Sequence, residues 1–188
     1  FTRPARRAIL AGDRSRDPRM SATDTLLGLL PSVTRANLML RAFGAAKIPL
    51  LGFVGPRIMH IDDRSVVIRI PLNWRTRNHL GSMYFGVLAA GADTAGGFLA
   101  VQRILDRKAR VDLVFKNFHA DFLRRATGDV DFRCDVGTEI GALVDAAIKT
   151  GERHELVVPI VATVPSEDPD VPVARFELTL SLRQRTRK

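Results

Sequence analysis

Residues 78–100 read NHLGSMYFGVLAAGADTAGGFLA, and from Phe85 onward this segment is apolar or small apart from Asp93 and Thr94. The apolar run continues to Leu105, which makes it too long for a strand and predicts one buried helix. A long apolar helix must be covered on most of its sides, and a strongly curved sheet supplies that cover. The segment therefore predicts a central helix wrapped by a sheet.

The rest of the chain carries patterns that fit such a sheet. Alternating or Val- and Ile-rich runs predict strands at 57–61, 65–70, 111–122, 129–136, 155–164 and 174–182, with a turn-rich loop at 165–172. A change in the phase of the alternation predicts a bulge near Lys116 and Asn117. Helical spacing predicts a surface helix over 138–150, capped by Gly151. The sequence thus predicts an α+β architecture with a largely antiparallel sheet.

The N-terminal part of the chain is expected to add peripheral helices. Helices are predicted at 21–30 and 32–46, separated by Pro31. The apolar residues that follow, up to about Val54, are expected to cover the core or a bound apolar chain. Residues 1–19 are rich in Arg, Pro, Ser and Asp, which predicts a disordered leader or sequence upstream of the natural start. Residues 20–188 then form a single domain.

The net charge of +9 lies mainly at the two ends of the chain. Residues 1–19 carry +4 and residues 183–188 carry +4, which leaves about +1 for everything between them. Apart from Phe1, these ends also lack the aromatic residues that stack on nucleic-acid bases. We therefore expect no nucleic-acid partner for the folded body, and only the tails keep a nucleic-acid-associated protein as a second alternative.

The single cysteine, Cys134, rules out an internal disulfide and any zinc site that needs several cysteines. It falls on the apolar side of its strand, where structural burial is a simpler interpretation than catalysis. His60, His119 and His154 stand singly without ligand spacing, so no metal is expected. No run supports a secretion signal or a membrane span, and we expect a cytoplasmic protein without a membrane partner.

The predicted central helix contains more glycine than helix stability favours, since each interior glycine costs roughly 1 kcal/mol relative to alanine. Helical spacing places small residues and a single carboxylate on one face of the predicted helix: Gly86, Ala89, Ala90, Asp93, Gly96, Gly97 and Ala100. Such a face admits another backbone or a thin substrate. A lone Asp93 in apolar surroundings must be hydrogen-bonded, paired or shifted in pKa. Spacing alone leaves open whether Asp93 is catalytic or a structural residue tied to a neighbouring amide.

Two motifs make the sequence similar to the hotdog-fold thioesterase superfamily, in particular to the phenylacetate-pathway-type thioesterases and their uncharacterised relatives. Asn78, Gly81 and Gly86 match the superfamily's Asn-x-x-Gly turn and first helix glycine, and Asp93 matches its helix carboxylate. Residues 121–129, which read DFLRRATGD, are similar to its strand pattern of apolar-Leu-Arg-x-Ala-x-x-Gly-Asp. The resemblance covers roughly residues 57–182 and implies a hotdog fold, in which a curved antiparallel sheet wraps a long central helix, here with extra N-terminal helices.

The resemblance also implies roles for individual residues. Asp93 would be the general base or nucleophile, with Asn78 and His79 as the other catalytic candidates. The candidate substrate-binding residues are Ser82, Tyr84, Phe85, Gly86, Arg124 and Arg125. Four arginines near the predicted mouth of the site, Arg75, Arg77, Arg124 and Arg125, are candidates for the phosphates of coenzyme A or are solvated charges at strand ends. Backbone N–H groups of Phe85, Gly86 or Val87 at the helix start could face a developing oxyanion. Many relatives have His-Gly-Gly at this helix start, where the present chain has Tyr84-Phe85-Gly86.

The leading hypothesis is that the protein hydrolyses an acyl-CoA or a related acyl thioester. The substrate is then a small molecule, with coenzyme A as part of it, and no separate cofactor is expected. The alternative is a non-catalytic acyl-CoA-binding or regulatory hotdog protein. Superfamily members build their sites between two subunits. The resemblance therefore implies a homo-oligomer, either a dimer or a dimer of dimers.

Overall fold

The computed structural model describes residues 31–185. Its helices are α1 (Ser32–Ala46), α2 (Pro49–Val54), α3 (Phe85–Asp106) and α4 (Gly137–Thr150). Its strands are β1 (Arg57–Ile61), β2 (Val66–Ile70), β3 (Val111–Phe122), β4 (Val130–Cys134), β5 (Arg153–Val164) and β6 (Asp168–Gln184). The predicted leader at 1–19 and the predicted helix at 21–30 lie outside the described residues.

The strands form one curved antiparallel sheet in the order β1-β2-β4-β5-β6-β3. Helix α3 packs against five strands of the sheet: β2, β3, β4, β5 and β6. The sheet therefore wraps the helix and covers its apolar side chains, as the apolar sequence of the helix predicted. This arrangement confirms the predicted α+β hotdog fold. Strand β3 is the last strand of the sheet, and its outer edge has no strand partner within residues 31–185. Within that range no helix is both long and apolar enough to cross a membrane.

One glycine sets how closely α3 approaches the sheet. A Cβ placed on Gly91 would lie 2.3 Å from ring carbons of Phe132, a fully buried residue of β4. No side chain larger than hydrogen fits there without moving the ring or the helix. By contrast, a Cβ on Gly97 would meet Phe115 at 3.6 Å, which is an ordinary contact distance. Gly91 is therefore required by packing, which explains one of the glycines that the helix would otherwise disfavour.

Several local predictions are confirmed. The register of β3 against β6 shifts between Phe115 and Phe118, where the bulge was predicted. Helix α4 ends at Gly151, which has φ 74° and donates its N–H to the carbonyl of Ala147. Cys134 is fully buried, and burial raises the pKa of its thiol to about 11, which fits a structural residue.

One element was not predicted, and one local prediction needs correction. The apolar residues after α1 form a short helix, α2, because Pro49 suits its first turn and Gly55, with φ 71°, ends it. The loop predicted at 165–172 is shorter, since β6 begins at Asp168. Pro172 lies within that strand at an irregular register opposite Thr163, a place where a residue without an N–H is tolerated.

The contact between Gly91 and Phe132 yields a stability prediction. We expect Gly91→Ala to lower the free energy of unfolding by about 1–3 kcal/mol, because the added methyl group overpacks the helix–sheet interface. Gly97→Ala in the same helix is the matched control and should be neutral or stabilising. Urea unfolding followed by circular dichroism measures both. Equal stability of the two variants would contradict the packing role of Gly91.

Candidate active site

Asp93 lies on the wall of an apolar cavity of about 430 Å³. Four elements enclose the cavity: α1, α2, α3 and β3. Leu40 and Leu51 cover it from the N-terminal helices, and Val101 and Phe115 belong to its walls on α3 and β3. Asp93 is the only ionisable residue in the described lining, so its carboxylate has mainly apolar neighbours.

The carboxylate of Asp93 has no hydrogen-bond or ion-pair partner within the part of the chain that the structure describes. Its pKa is raised above the ordinary value because burial removes water from the charged form. The neighbouring hydroxyl of Thr94 donates to the carbonyl of Ala90 at 2.6 Å instead. A partly desolvated carboxylate without a partner is a stronger base than one in water, and it stays available to a ligand.

Asn78 and Ser82 hold the turn that precedes α3. The Asn78 Oδ1 accepts the backbone N–H groups of Leu80 at 2.9 Å and Ser82 at 3.2 Å, and its Nδ2 donates to the Ser82 Oγ at 3.1 Å. Gly81 adopts φ 78°, as this tight turn requires. The guanidinium of Arg125 donates to the Leu80 carbonyl at 2.5 Å, and this hydrogen bond also stabilises the turn. These side chains shape the approach to the helix, and none of them lines the cavity of Asp93.

The start of α3 presents two free backbone donors. Tyr84 is extended, with φ −68° and ψ 137°, and its own N–H donates to the carbonyl of Thr76 at 2.8 Å. The N–H groups of Phe85 and Gly86 have no acceptor within the described residues, whereas that of Val87 donates to the Tyr84 carbonyl at 2.9 Å. Val87 is therefore not an available donor in this conformation. Two free N–H groups at a helix N-terminus form a place for negative charge.

The free donors and the carboxylate share one face of α3 but lie apart. Asp93 follows Gly86 by seven residues, which is about two turns and about 10 Å along the helix axis. A single carbonyl group cannot contact both of them within one chain. Any site that combines them has to bring the start of one α3 beside the Asp93 of another.

An exposed apolar surface runs from the start of α3 to the edge strand β3. The rings of Tyr84 and Phe85 are 4.8 Å apart between centroids, and Phe85 lies 6.4 Å from Phe122. Val114 and Phe118 on β3 are also exposed. Apolar side chains beside an unpaired strand edge are typical of a surface that another chain covers.

The remaining predicted site residues lie away from Asp93. His79 and Arg124 are exposed, and their side chains make no hydrogen bond or ion pair within residues 31–185. Their roles stay predictions. Within the same range no three His, Cys, Asp or Glu side chains come close enough to hold a metal ion. The sequence reasoning missed Val101 and Ile104, which continue the face of Asp93 and Gly97 along α3 and could have been found from helical spacing.

The fold matches known proteins. The structure resembles a protein from Pseudomonas aeruginosa described as of unknown function and a probable thioesterase, at 26% identity and a TM-score of 0.64, with 83% of this chain and 97% of that chain covered. It also resembles thioesterase HI1161 from Haemophilus influenzae, at 18% identity and a TM-score of 0.58, with 82% and 92% covered.

A protein of unknown function from Chlorobaculum tepidum matches at 14% identity and a TM-score of 0.70, with 81% of this chain and 97% of that chain covered. No functionally curated protein shows a significant match. Residues 36–182 match a family described as a domain of unknown function, DUF4442. The chain therefore belongs to the DUF4442 family and is a thioesterase-like protein of the hotdog superfamily.

Proposed function

We propose that the protein hydrolyses an acyl-CoA or a related acyl thioester, with Asp93 as general base or nucleophile. The observation that carries this proposal is the unpartnered carboxylate of Asp93 on the wall of an apolar cavity. Such a cavity suits an acyl chain, and the carboxylate at its wall suits removal of a proton from water or direct attack on the thioester carbon. The thioesterase descriptions of the neighbours from Pseudomonas aeruginosa and Haemophilus influenzae support the same activity.

The chemistry needs a nucleophile and donors for the oxyanion. In the general-base form, Asp93 takes a proton from water while the water oxygen bonds to the thioester carbon. The C–S bond then breaks, the proton goes to the thiolate that leaves, and the products are a carboxylic acid and free thiol. The N–H groups of Phe85 and Gly86 would hold the negative charge that develops on the carbonyl oxygen.

A second copy of the chain would complete the site. Because Gly86 and Asp93 are about 10 Å apart along one helix, an antiparallel pair of α3 helices would bring the N–H of one copy to the carboxylate of the other. The exposed edge of β3, with Val114 and Phe118, would pair with its counterpart and bury that apolar surface. This homodimer could associate further into a dimer of dimers.

The cavity has room for an acyl chain of moderate length. Its volume of about 430 Å³ corresponds to roughly a dozen methylene-sized groups, since a water molecule of similar size occupies about 30 Å³ of liquid. Leu40, Phe43, Ile48 and Leu51 close it on the side of α1 and α2. This supports the expectation that the apolar residues up to Val54 cover an acyl chain.

The alternative is a protein that binds acyl-CoA without hydrolysing it. One observation favours this alternative: Tyr84 stands at the helix start, where the resemblance places a histidine in many relatives. The exposed phenol ring packs on Phe85 and takes no part in a described hydrogen bond.

The first prediction concerns activity. We expect Asp93→Asn to lower the rate of thiol release from acyl-CoA by roughly 10²- to 10⁴-fold, because the amide cannot accept the proton. Free thiol released from a panel of acyl-CoAs of increasing chain length is the measurement. Asp170→Asn, which removes an exposed carboxylate at the start of β6, is the matched control and should keep wild-type activity. If wild type releases no thiol but acyl-CoA still raises its melting temperature, the binding alternative replaces hydrolysis.

The second prediction concerns stability and pH. The pKa of Asp93 is raised on folding, so the unfolded chain holds fewer protons near neutrality and the charged carboxylate destabilises the fold. We expect Asp93→Asn to increase the free energy of unfolding at pH 7. This gain should shrink as the pH falls from the raised pKa of the folded state to the ordinary pKa of aspartate, and it should be absent below the ordinary pKa, where both states are protonated. Urea unfolding at several pH values tests this, and a loss of stability at pH 7 would instead indicate a structural Asp93.

A further inference from the structure

We propose that a second site, a basic cleft beside the acyl cavity, binds the phosphates and the adenine ring of coenzyme A. The cleft has a volume of about 350 Å³ and lies between the α1–α2 pair and the loop after β2. Arg41, Arg57 and Arg75 all line it. The assignment to coenzyme A rests on the proposed function, whereas the phosphate and ring chemistry rests on the cleft itself.

The charge of the cleft favours an anion. None of its lining residues is acidic, and the side chains of the three arginines make no hydrogen bond or ion pair within residues 31–185. The carboxylate of Asp129 is nearby in the fold, but it accepts the backbone N–H of Leu72 and does not line the cleft. Guanidinium groups without a carboxylate partner bind phosphate oxygens through charge-assisted hydrogen bonds.

Two aromatic rings flank the guanidinium of Arg75. Its central carbon lies 5.8 Å from the ring centroid of Phe53 and 6.0 Å from that of Trp74. The two rings meet edge to face at 6.3 Å. Trp74 is 73% exposed, more than any other large apolar side chain in the described part of the chain. An open indole face beside phosphate-binding arginines suits a nucleobase, since bases stack on aromatic rings regardless of sequence.

The loop that carries Arg75 is held in place before any ligand arrives. The buried hydroxyl of Thr76 donates to the carbonyl of Pro71 at 2.7 Å and accepts the N–H of Asn73 at 2.9 Å. The Asn73 Oδ1 in turn accepts the N–H of Arg75 at 2.9 Å. A cleft with a rigid wall binds a ligand with less loss of conformational entropy.

The position of the cleft fits one ligand that spans both sites. Leu40 and Leu51 line the cleft and also the cavity of Asp93, so the two spaces adjoin at these side chains. Thr76 accepts the N–H of Tyr84, which ties the loop of the cleft to the start of α3. The acyl cavity extends the other way, from Asp93 to Leu105. The phosphates and the acyl chain of one thioester would thus lie on opposite sides of its carbonyl group.

Gly52 allows the charge of the cleft to be changed without crowding it. It lines the cleft, and a Cβ built on it meets no atom within 4 Å. Gly52→Glu therefore adds a carboxylate at the arginines, and Gly52→Gln is its uncharged match. Arg75→Ala removes one guanidinium, and Arg64→Ala, in the turn between β1 and β2, is the charge-matched control.

The test is calorimetric titration of the full chain with adenosine 3′,5′-bisphosphate. We expect Gly52→Glu and Arg75→Ala each to weaken binding by about tenfold or more, since a unit charge is introduced or removed within a few ångströms of the phosphates. Gly52→Gln should weaken binding less than Gly52→Glu does, and Arg64→Ala should bind as wild type does. Inorganic pyrophosphate should bind more weakly than the bisphosphate because it has no ring for Trp74.

Three results would overturn the proposal. The first is that Gly52→Glu and Arg75→Ala bind the bisphosphate as wild type does. The second is that pyrophosphate binds as tightly as the bisphosphate. The third is that single-stranded DNA or anionic vesicles bind more tightly than the bisphosphate and that the same substitutions abolish this binding.

Hydrolysis is measured separately. The quantity compared is the KM for acyl-CoA divided by the KM for the acyl-pantetheine thioester, and Gly52→Glu should raise this ratio. Bisphosphate binding without any hydrolysis would refute the proposed function alone, and hydrolysis with an unchanged ratio would refute the cleft alone.

Discussion

The contact between the backbone of Gly91 and the ring of Phe132 determines how the central helix sits in the sheet. Because residues two apart on a helix point about 200° from each other, seating Gly91 against β4 turns Asp93 to the opposite side. That side is where α1, α2 and β3 leave the apolar cavity. One close approach in the core thus sets the position of the carboxylate on which the proposed chemistry depends.

Asp93 is in a state that a fold selected only for stability would not favour, since a partly buried carboxylate without a partner costs free energy. The N–H groups of Phe85 and Gly86 are those that a helix start leaves without an intrahelical acceptor. Both can be stabilised by a bound thioester, whose carbonyl needs a donor and whose carbon needs a nucleophile. The structure therefore holds its polar groups ready for a ligand, with the turn at Asn78 and the loop at Thr76 keeping the approach rigid.

The sequence predicted the architecture well because helix and strand periodicity are local properties. The apolar run of α3, the bulge after Phe115 and the cap at Gly151 were all visible in the pattern of residues. The surroundings of Asp93 were only half predictable, since spacing shows its small neighbours but not whether a distant amide reaches it. The cleft was only partly predictable: Arg75 was a candidate for the phosphates of coenzyme A, but Arg41 and Arg57 lie far from it in the chain, and only the packing of α1 and the loop after β2 brings the three together.

The central claim is that the carboxylate of one chain and the helix start of another act on the same thioester. It is tested by heterodimers purified with two different tags, one chain carrying Asp93→Asn and the other Gly86→Pro. Proline removes the N–H in the first helical turn and displaces the exposed ring of Tyr84, which lies 2.6 Å from the place of a Cβ at position 86. Each variant alone should lack hydrolysis. The heterodimer should recover about half of the wild-type activity, because one of its two sites has neither substitution. A heterodimer as inactive as its parents would contradict the account.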